Sequence, residues 1–226
     1  MPAIPTLSEY NREQLETLLA VRSRLAELPE AQERRLQQKL SDYLAFRGDL
    51  EAFLRQHFGG LCSRTCYTSR LSACCSREGI ITFFADVVIN CLRSSGPDLD
   101  ALQQALLDGR NDAKCVYLGT HGCRWRVRPI VCAMFLCSRA EKTVFEDRPP
   151  LRERWEDLCR RKQLFTWPDR PVLFDDLEAF FIDLGCISPL MYLHNAPGLL
   201  RVKQKSGVRS QHLTKTEKRK SPRPRA

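Results

Sequence analysis

Nine of the chain's 11 cysteines fall between Cys62 and Cys137 in a sequence of 226 residues. This crowding limits the fold more than any other feature, because thiols gathered in one stretch must be buried, oxidised or bound. A disulfide framework in a small secreted protein spreads its bridges along the whole chain. This sequence instead opens Met1-Pro2-Ala3-Ile4-Pro5-Thr6, without the basic-then-apolar pattern of a secretory leader. The expectation is a cytoplasmic protein whose thiols stay reduced and whose clustered soft donors hold a soft metal. The best apolar stretch, Gly79 to Leu92, is broken by Asp86 and Asn90 and falls short of the roughly 20 residues that cross a bilayer. No membrane partner is expected.

Charge is unevenly placed. Residues 201–226 carry ten Lys or Arg and one acid, Glu217, while the remaining 26 basic and 26 acidic residues cancel. The formal net charge of +9 therefore belongs to the tail, which reads as a solvated, disordered extension that solubilises the chain or attracts nucleic acid weakly. A hydrophobic content of 43% suffices for one core, or for one core and a small metal-stapled module.

The pattern is mainly α, a helical body around an irregular cysteine-rich metal-binding module with at most short strands. Residues 1–60 read as N-terminal helices, 61–140 as the cysteine-rich module, 141–200 as C-terminal helices packed on the body, and 201–226 as the basic tail. Thr6-Leu7-Ser8-Glu9 matches a capping box, and Leu15, Leu18, Leu19, Leu25 and Leu28 mark one face of the first helix. Pro29 ends that helix and starts a second, carrying Leu36, Leu40, Tyr43 and Leu44. Gly48-Asp49 predicts a break and Gly59-Gly60 a stop, with Leu50, Phe53, Leu54 and Phe58 between them. Gly79 to Thr82 reads as a brief strand, and Thr82 as the cap of a helix reaching Leu92. Pro97 closes that element, and Leu99, Leu102, Leu106 and Leu107 point inward from the next. Pro150 to Lys162 and Phe174 to Leu184 are the last expected helices, with Leu151, Trp155 and Leu158, then Leu177, Phe180, Phe181 and Leu184, turned inward.

Within the module, Cys62 and Cys66 stand four apart, which sets both sulfurs on one side of a helical turn or in one tight loop. Cys74 and Cys75 are adjacent and diverge on any regular element, so their joint ligation requires an irregular loop. Cys115-Val116-Tyr117-Leu118 followed by Gly122-Cys123 reads as an extended segment and a turn that returns one thiol near another. Arg128-Pro129 sets up a helix start with Cys132 in its first turn, where free N–H groups and the helix dipole favour thiolate. Arg124, Arg126 and Arg128 offset a polythiolate's charge, and Arg128 is a candidate donor to sulfur. Cys137 lies about 140° from Cys132 on a regular helix, so both would not face one ion. Cys91, Cys159 and Cys186 read as packing residues, as do Phe83, Phe84 and Trp125. His57 and His121 flank the clusters as substitute ligands.

The pattern Cys115-x-x-Leu118-x-x-x-Gly122-Cys123-x-x-x-x-Arg128-Pro129-x-x-Cys132, preceded by Cys74-Cys75 and Thr82-x-x-x-Asp86, resembles the YkgJ-like putative zinc- or iron-chelating domain family, the CxxCxxCC proteins, which include flagellin lysine N-methylase. The similarity spans about residues 57 to 140. It implies that Cys62, Cys66, Cys74, Cys75, Cys115, Cys123 and Cys132 form the chelating set. Family members commonly compress the first cluster into C-x2-C-x2-C-C, where this chain has C-x3-C-x7-C-C, and they follow the last motif with an aromatic and a proline, where this chain continues Ala133-Met134-Phe135-Leu136-Cys137.

So many thiols exceed one tetrahedral site, and they suit two zinc ions with shared ligands or an iron–sulfur cluster with spare thiols. Three functions follow as expectations: a cytoplasmic protein that chelates zinc or iron, an iron–sulfur enzyme related to protein lysine methylation, or a zinc-stabilised module that binds nucleic acid through its tail. No phosphate loop, HExxH or nucleophile elbow supplies an independent catalytic set.

Overall fold

The computed structural model describes residues 7–62, 80–109, 114–119, 122–166 and 170–195. Cys66, Cys74, Cys75, Gly79, His121 and the basic tail lie outside them. The fold is mainly helical: α1 Glu9–Ala26, α2 Glu30–Lys39, α3 Ser41–Leu61, α4 Phe84–Arg93, α5 Gly96–Asp108, α6 Ile130–Met134, α7 Ser138–Phe145, α8 Pro149–Thr166, α9 Leu173–Asp183 and α10 Tyr192–Asn195. Between α5 and α6 sits an antiparallel pair, β1 Leu118–Gly119 and β2 Gly122–Cys123, in register Leu118 with Cys123. Among the described residues, no helix is long and apolar enough to cross a membrane.

Helix α1 starts later than the Thr6–Glu9 box predicts, because Ser8 is the cap and its Oγ accepts from the Asn11 N–H at 3.2 Å. Its buried face also differs from the leucine stripe. Asn11, Gln14 and Thr17 are buried with Leu18 and Val21, while Leu19 is 44% exposed. Each polar side chain has a partner inside: Asn11 Nδ2 donates to the Leu106 carbonyl at 3.2 Å, and Thr17 Oγ1 lies 2.6 Å from Ser188 Oγ. Burial of polar groups is tolerated when they are bonded in this way. Through this face α1 packs on α4 and α5.

Helix α3 corrects two expectations. The chain does not break at Gly48-Asp49; the joint lies at Leu40, and α3 then runs unbroken to Leu61, through Gly59-Gly60. The buried stripe of Tyr43, Phe46, Leu50, Phe53 and Phe58 carries the helix across these glycines. Burying a large apolar side chain is worth about 1.5–3 kcal/mol, against about 1 kcal/mol for an interior glycine. Gly48 is exposed and a Cβ there would meet nothing within 4 Å. Gly48→Ala is therefore expected to stabilise the protein by about 0.5–1 kcal/mol, read as a higher urea midpoint at unchanged slope.

The core beneath is aromatic. Tyr43 meets Phe165 and Phe174 edge-on at 5.2 and 5.7 Å, Phe53 stacks on Trp155 at 6.0 Å, and Phe84 meets Phe181 at 5.4 Å. Helix α9 is central, packing on α4, α8 and α10. Its first turn is capped by Asp175, whose Oδ2 accepts from the Val172 N–H at 2.9 Å, and Glu178 accepts from the Leu193 N–H of α10. Phe174, Leu177 and Phe181 are buried as the inward face, with Phe180 and Leu184 only half-buried. On α5, Leu107 is 38% exposed, and Pro97 opens this helix behind a Ser95–Asp98 capping box.

Residues 80–83 form no strand among those described. Cys91 is buried in α4 and Cys159 half-buried in α8, but Cys186 lies beyond α9, after a turn that Gly185 makes at φ 72°. Burial pushes the Cys91 thiol up to about 12, so it is protonated and inert at neutral pH.

Candidate metal centre

The hairpin and α6, with the turn that precedes them, carry the second group of cysteines. A turn in which the Leu118 N–H donates to the Cys115 carbonyl at 3.0 Å leads into β1, and Cys123 ends β2 opposite Leu118. Gly122 closes the connection at φ 113°, a conformation that suits glycine. After Trp125 the chain reaches Pro129, the N-cap of α6, and Cys132 follows as the third helical residue. Cys115 is buried, Cys132 half-buried and Cys123 exposed. The turn at Gly122 and the helix start at Pro129 agree with the sequence, but Cys115 to Leu118, expected as an extended segment, forms a turn, and the strand begins only at Leu118.

Three buried or half-buried side chains from α3 and α4 grip the backbone leading to Cys132. Asp86 is fully buried; its Oδ1 accepts from the Ile130 N–H and its Oδ2 from the Phe83 N–H, each at 3.0 Å. Asn90 Oδ1 accepts from the Val127 N–H at 3.2 Å. Arg47 Nη1 donates to the Arg128 carbonyl at 2.8 Å and to the Tyr43 hydroxyl at 3.0 Å. Asp86 thus caps α4 at Phe83 and fixes the start of α6 at the same time. Burial raises its pKa to about 6 from 3.8, and the two N–H bonds and the Arg47 charge hold that rise back.

Thr82, expected to cap α4, has another role. Its Oγ1 donates to Gln14 Oε1 at 2.8 Å, which also accepts from the Tyr117 hydroxyl at 3.1 Å. Gln14 of α1 therefore ties the approach to α4 to the hairpin. Tyr10, one turn earlier on α1, sends a buried hydroxyl towards Tyr117 and Thr82 without a hydrogen bond of normal geometry among the described residues. Burial raises the pKa of both tyrosines, and negative charge on the cysteines adds to it: Cys115 and Cys132 act on Tyr10, Cys115 and Cys123 on Tyr117.

The remaining candidates lie at the edges of this region. Cys62 is half-buried at the C-cap of α3, still in helical conformation at φ −64° and ψ −42°. The chain re-enters the described structure at Ile80, and the Cys132 thiol lies 3.9 Å from the Ile81 carbonyl. Cys137 is not on a continuous helix with Cys132, because α6 ends at Met134 and Cys137 occupies the N-cap position of α7. His57 packs its ring against Phe53 at 4.8 Å. Phe83 meets Phe174 edge-on at 5.8 Å, and Trp125 meets Tyr117 at 5.2 Å, which makes both packing residues.

Among the described residues, no three His, Cys, Asp or Glu side chains are gathered tightly enough to hold an ion. The described thiols supply the right donor chemistry for a soft cation, and a full coordination shell would need donors from residues 63–79 as well. Sequence reasoning missed Tyr10, Gln14, Arg47 and Asn90. Asn11, Gln14 and Thr17, polar at three-residue spacing beside Leu18 and Val21, were the pattern that could have exposed the buried polar face of α1. Comparison of the chain with family models, curated proteins and solved structures finds no match.

Proposed function

We propose that this chain is a metal-binding protein that holds zinc or iron through cysteine thiolates, using Cys115, Cys123 and Cys132 together with Cys62, Cys66, Cys74 and Cys75. The observation that carries this reading is the run of Cys115, Cys123 and Cys132 on a hairpin and a helix start whose backbone is held by Asp86, Asn90 and Arg47. Gln14 ties the hairpin to α1 and Asp86 fixes the start of α6, so the backbone that carries these thiols is held by the rest of the fold. The resemblance to the YkgJ-like proteins, carried by the Cys115–Cys132 motif, implies the same donors, although the first cluster is spaced differently. The Cys62 end of α3 and the Ile80 re-entry bracket the segment that carries the other three thiols.

Bound zinc would staple the module, since its binding free energy becomes folding free energy. Bound iron with sulfide would supply a redox centre. The test is to purify the full chain without air, measure zinc, iron and acid-labile sulfide per chain, and record the visible spectrum. About one or two metal ions per chain are expected. Protein that folds and remains free of metal after anaerobic reconstitution with zinc and with ferrous iron and sulfide would overturn the proposal.

A further inference from the structure

Behind the hairpin lies a small internal cavity walled by Gln14, Leu18, Val87, Asn90, Leu102, Leu106, Tyr117 and Trp125, with about 10 Å³ of room for a water's centre. Two of these residues bring buried N–H donors that have no partner among the described residues, Asn90 Nδ2 and Trp125 Nε1. Asn90 is 1% exposed and Trp125 6% exposed. The asparagine cannot exchange its amide ends to relieve this, because its Oδ1 already accepts from the Val127 N–H, and a flip would set N–H against N–H. An indole nitrogen only donates.

We infer that this cavity is a binding site for one structural water, held by Asn90 Nδ2 and Trp125 Nε1. The volume matches a single water on the same measure. One oxygen accepts both N–H donors, and one of its hydrogens has an acceptor on the wall in Tyr117 Oη, since Gln14 Oε1 already accepts from Thr82 and Tyr117. A cation is repelled by two donors. An anion is disfavoured by the leucine and valine wall, where a charge would go uncompensated. The water forms a second link between α4 and the segment carrying Cys123, beside the Asn90–Val127 bond. This site is independent of any metal, since its residues are not among the proposed ligands.

The experiment is a crystal structure of the full chain at a resolution that shows ordered solvent, with the Trp125 indole proton followed by NMR in solution. The expected result is one density peak about 2.7–3.2 Å from both donors, and cross-relaxation between the indole proton and a long-lived water. Trp125→Phe, which keeps a ring against Tyr117, should lose the peak. A dry cavity in wild type, either donor bonded to a protein acceptor, or a peak unchanged in Trp125→Phe would each overturn the inference.

Discussion

Cys132→Ser is expected to lose metal and stability together, whereas Cys159→Ser keeps both near wild-type values. Cys132 sits in the first turn of α6 beside the Ile81 carbonyl, while Cys159 lies half-buried on α8 among the C-terminal helices. A structural zinc site contributes on the order of 10 kcal/mol, so removing one thiolate should cost several kcal/mol. Trading the Cys159 sulfur for oxygen should stay within about 1 kcal/mol, the usual range for a partly exposed packing position. Metal per chain and urea unfolding, measured on both variants, give the comparison. Equal metal in the two proteins would remove Cys132 from the ligand set.

Asp86 should give the protein an unusual pH dependence. Its carboxyl is fully buried, and its pKa rises to about 6 against 3.8 when exposed. A raised acid favours the protonated form in the fold, so the group's contribution is complete below about pH 4 and is lost as pH climbs through about 6. The shift corresponds to about 3 kcal/mol. Asp86→Asn retains one acceptor and cannot ionise. Wild type should therefore lose about 3 kcal/mol relative to the variant between about pH 4 and pH 7.5. Unfolding both proteins at each pH cancels the contributions of thiols and surface carboxylates that they share. Parallel curves would show that the Asp86 pKa is not raised by the fold.

Most helices were legible because their apolar spacing is local, and the Cys115–Cys132 turn and helix start were legible through Gly122 and Pro129. What could not be read were decisions made by distant partners. The glycine at position 48 looked like a break, yet the aromatic stripe on both sides of it holds α3 together. Leucine spacing found Leu18 and the half-buried Leu15, Leu25 and Leu28 on the inner side of α1, but it missed Asn11 and Thr17, which are satisfied by Leu106 and Ser188 far along the chain. Asp86 was visible as part of a motif. Arg47, Asn90 and Gln14 were not, since each bonds a group 37 to 103 residues away. Cys66, Cys74 and Cys75 lie outside the described residues.

The grip on the approach to α6 closes on main-chain atoms: the amide of Val127, the carbonyl of Arg128 and the amide of Ile130. Every residue type offers a main-chain carbonyl, so the exposed position 128 is open to drift in sequence without loosening the loop. The burden of invariance falls instead on positions 47, 86 and 90, remote from the thiols they serve. Damage to the proposed centre can therefore enter through mutations that a search confined to cysteines would pass over.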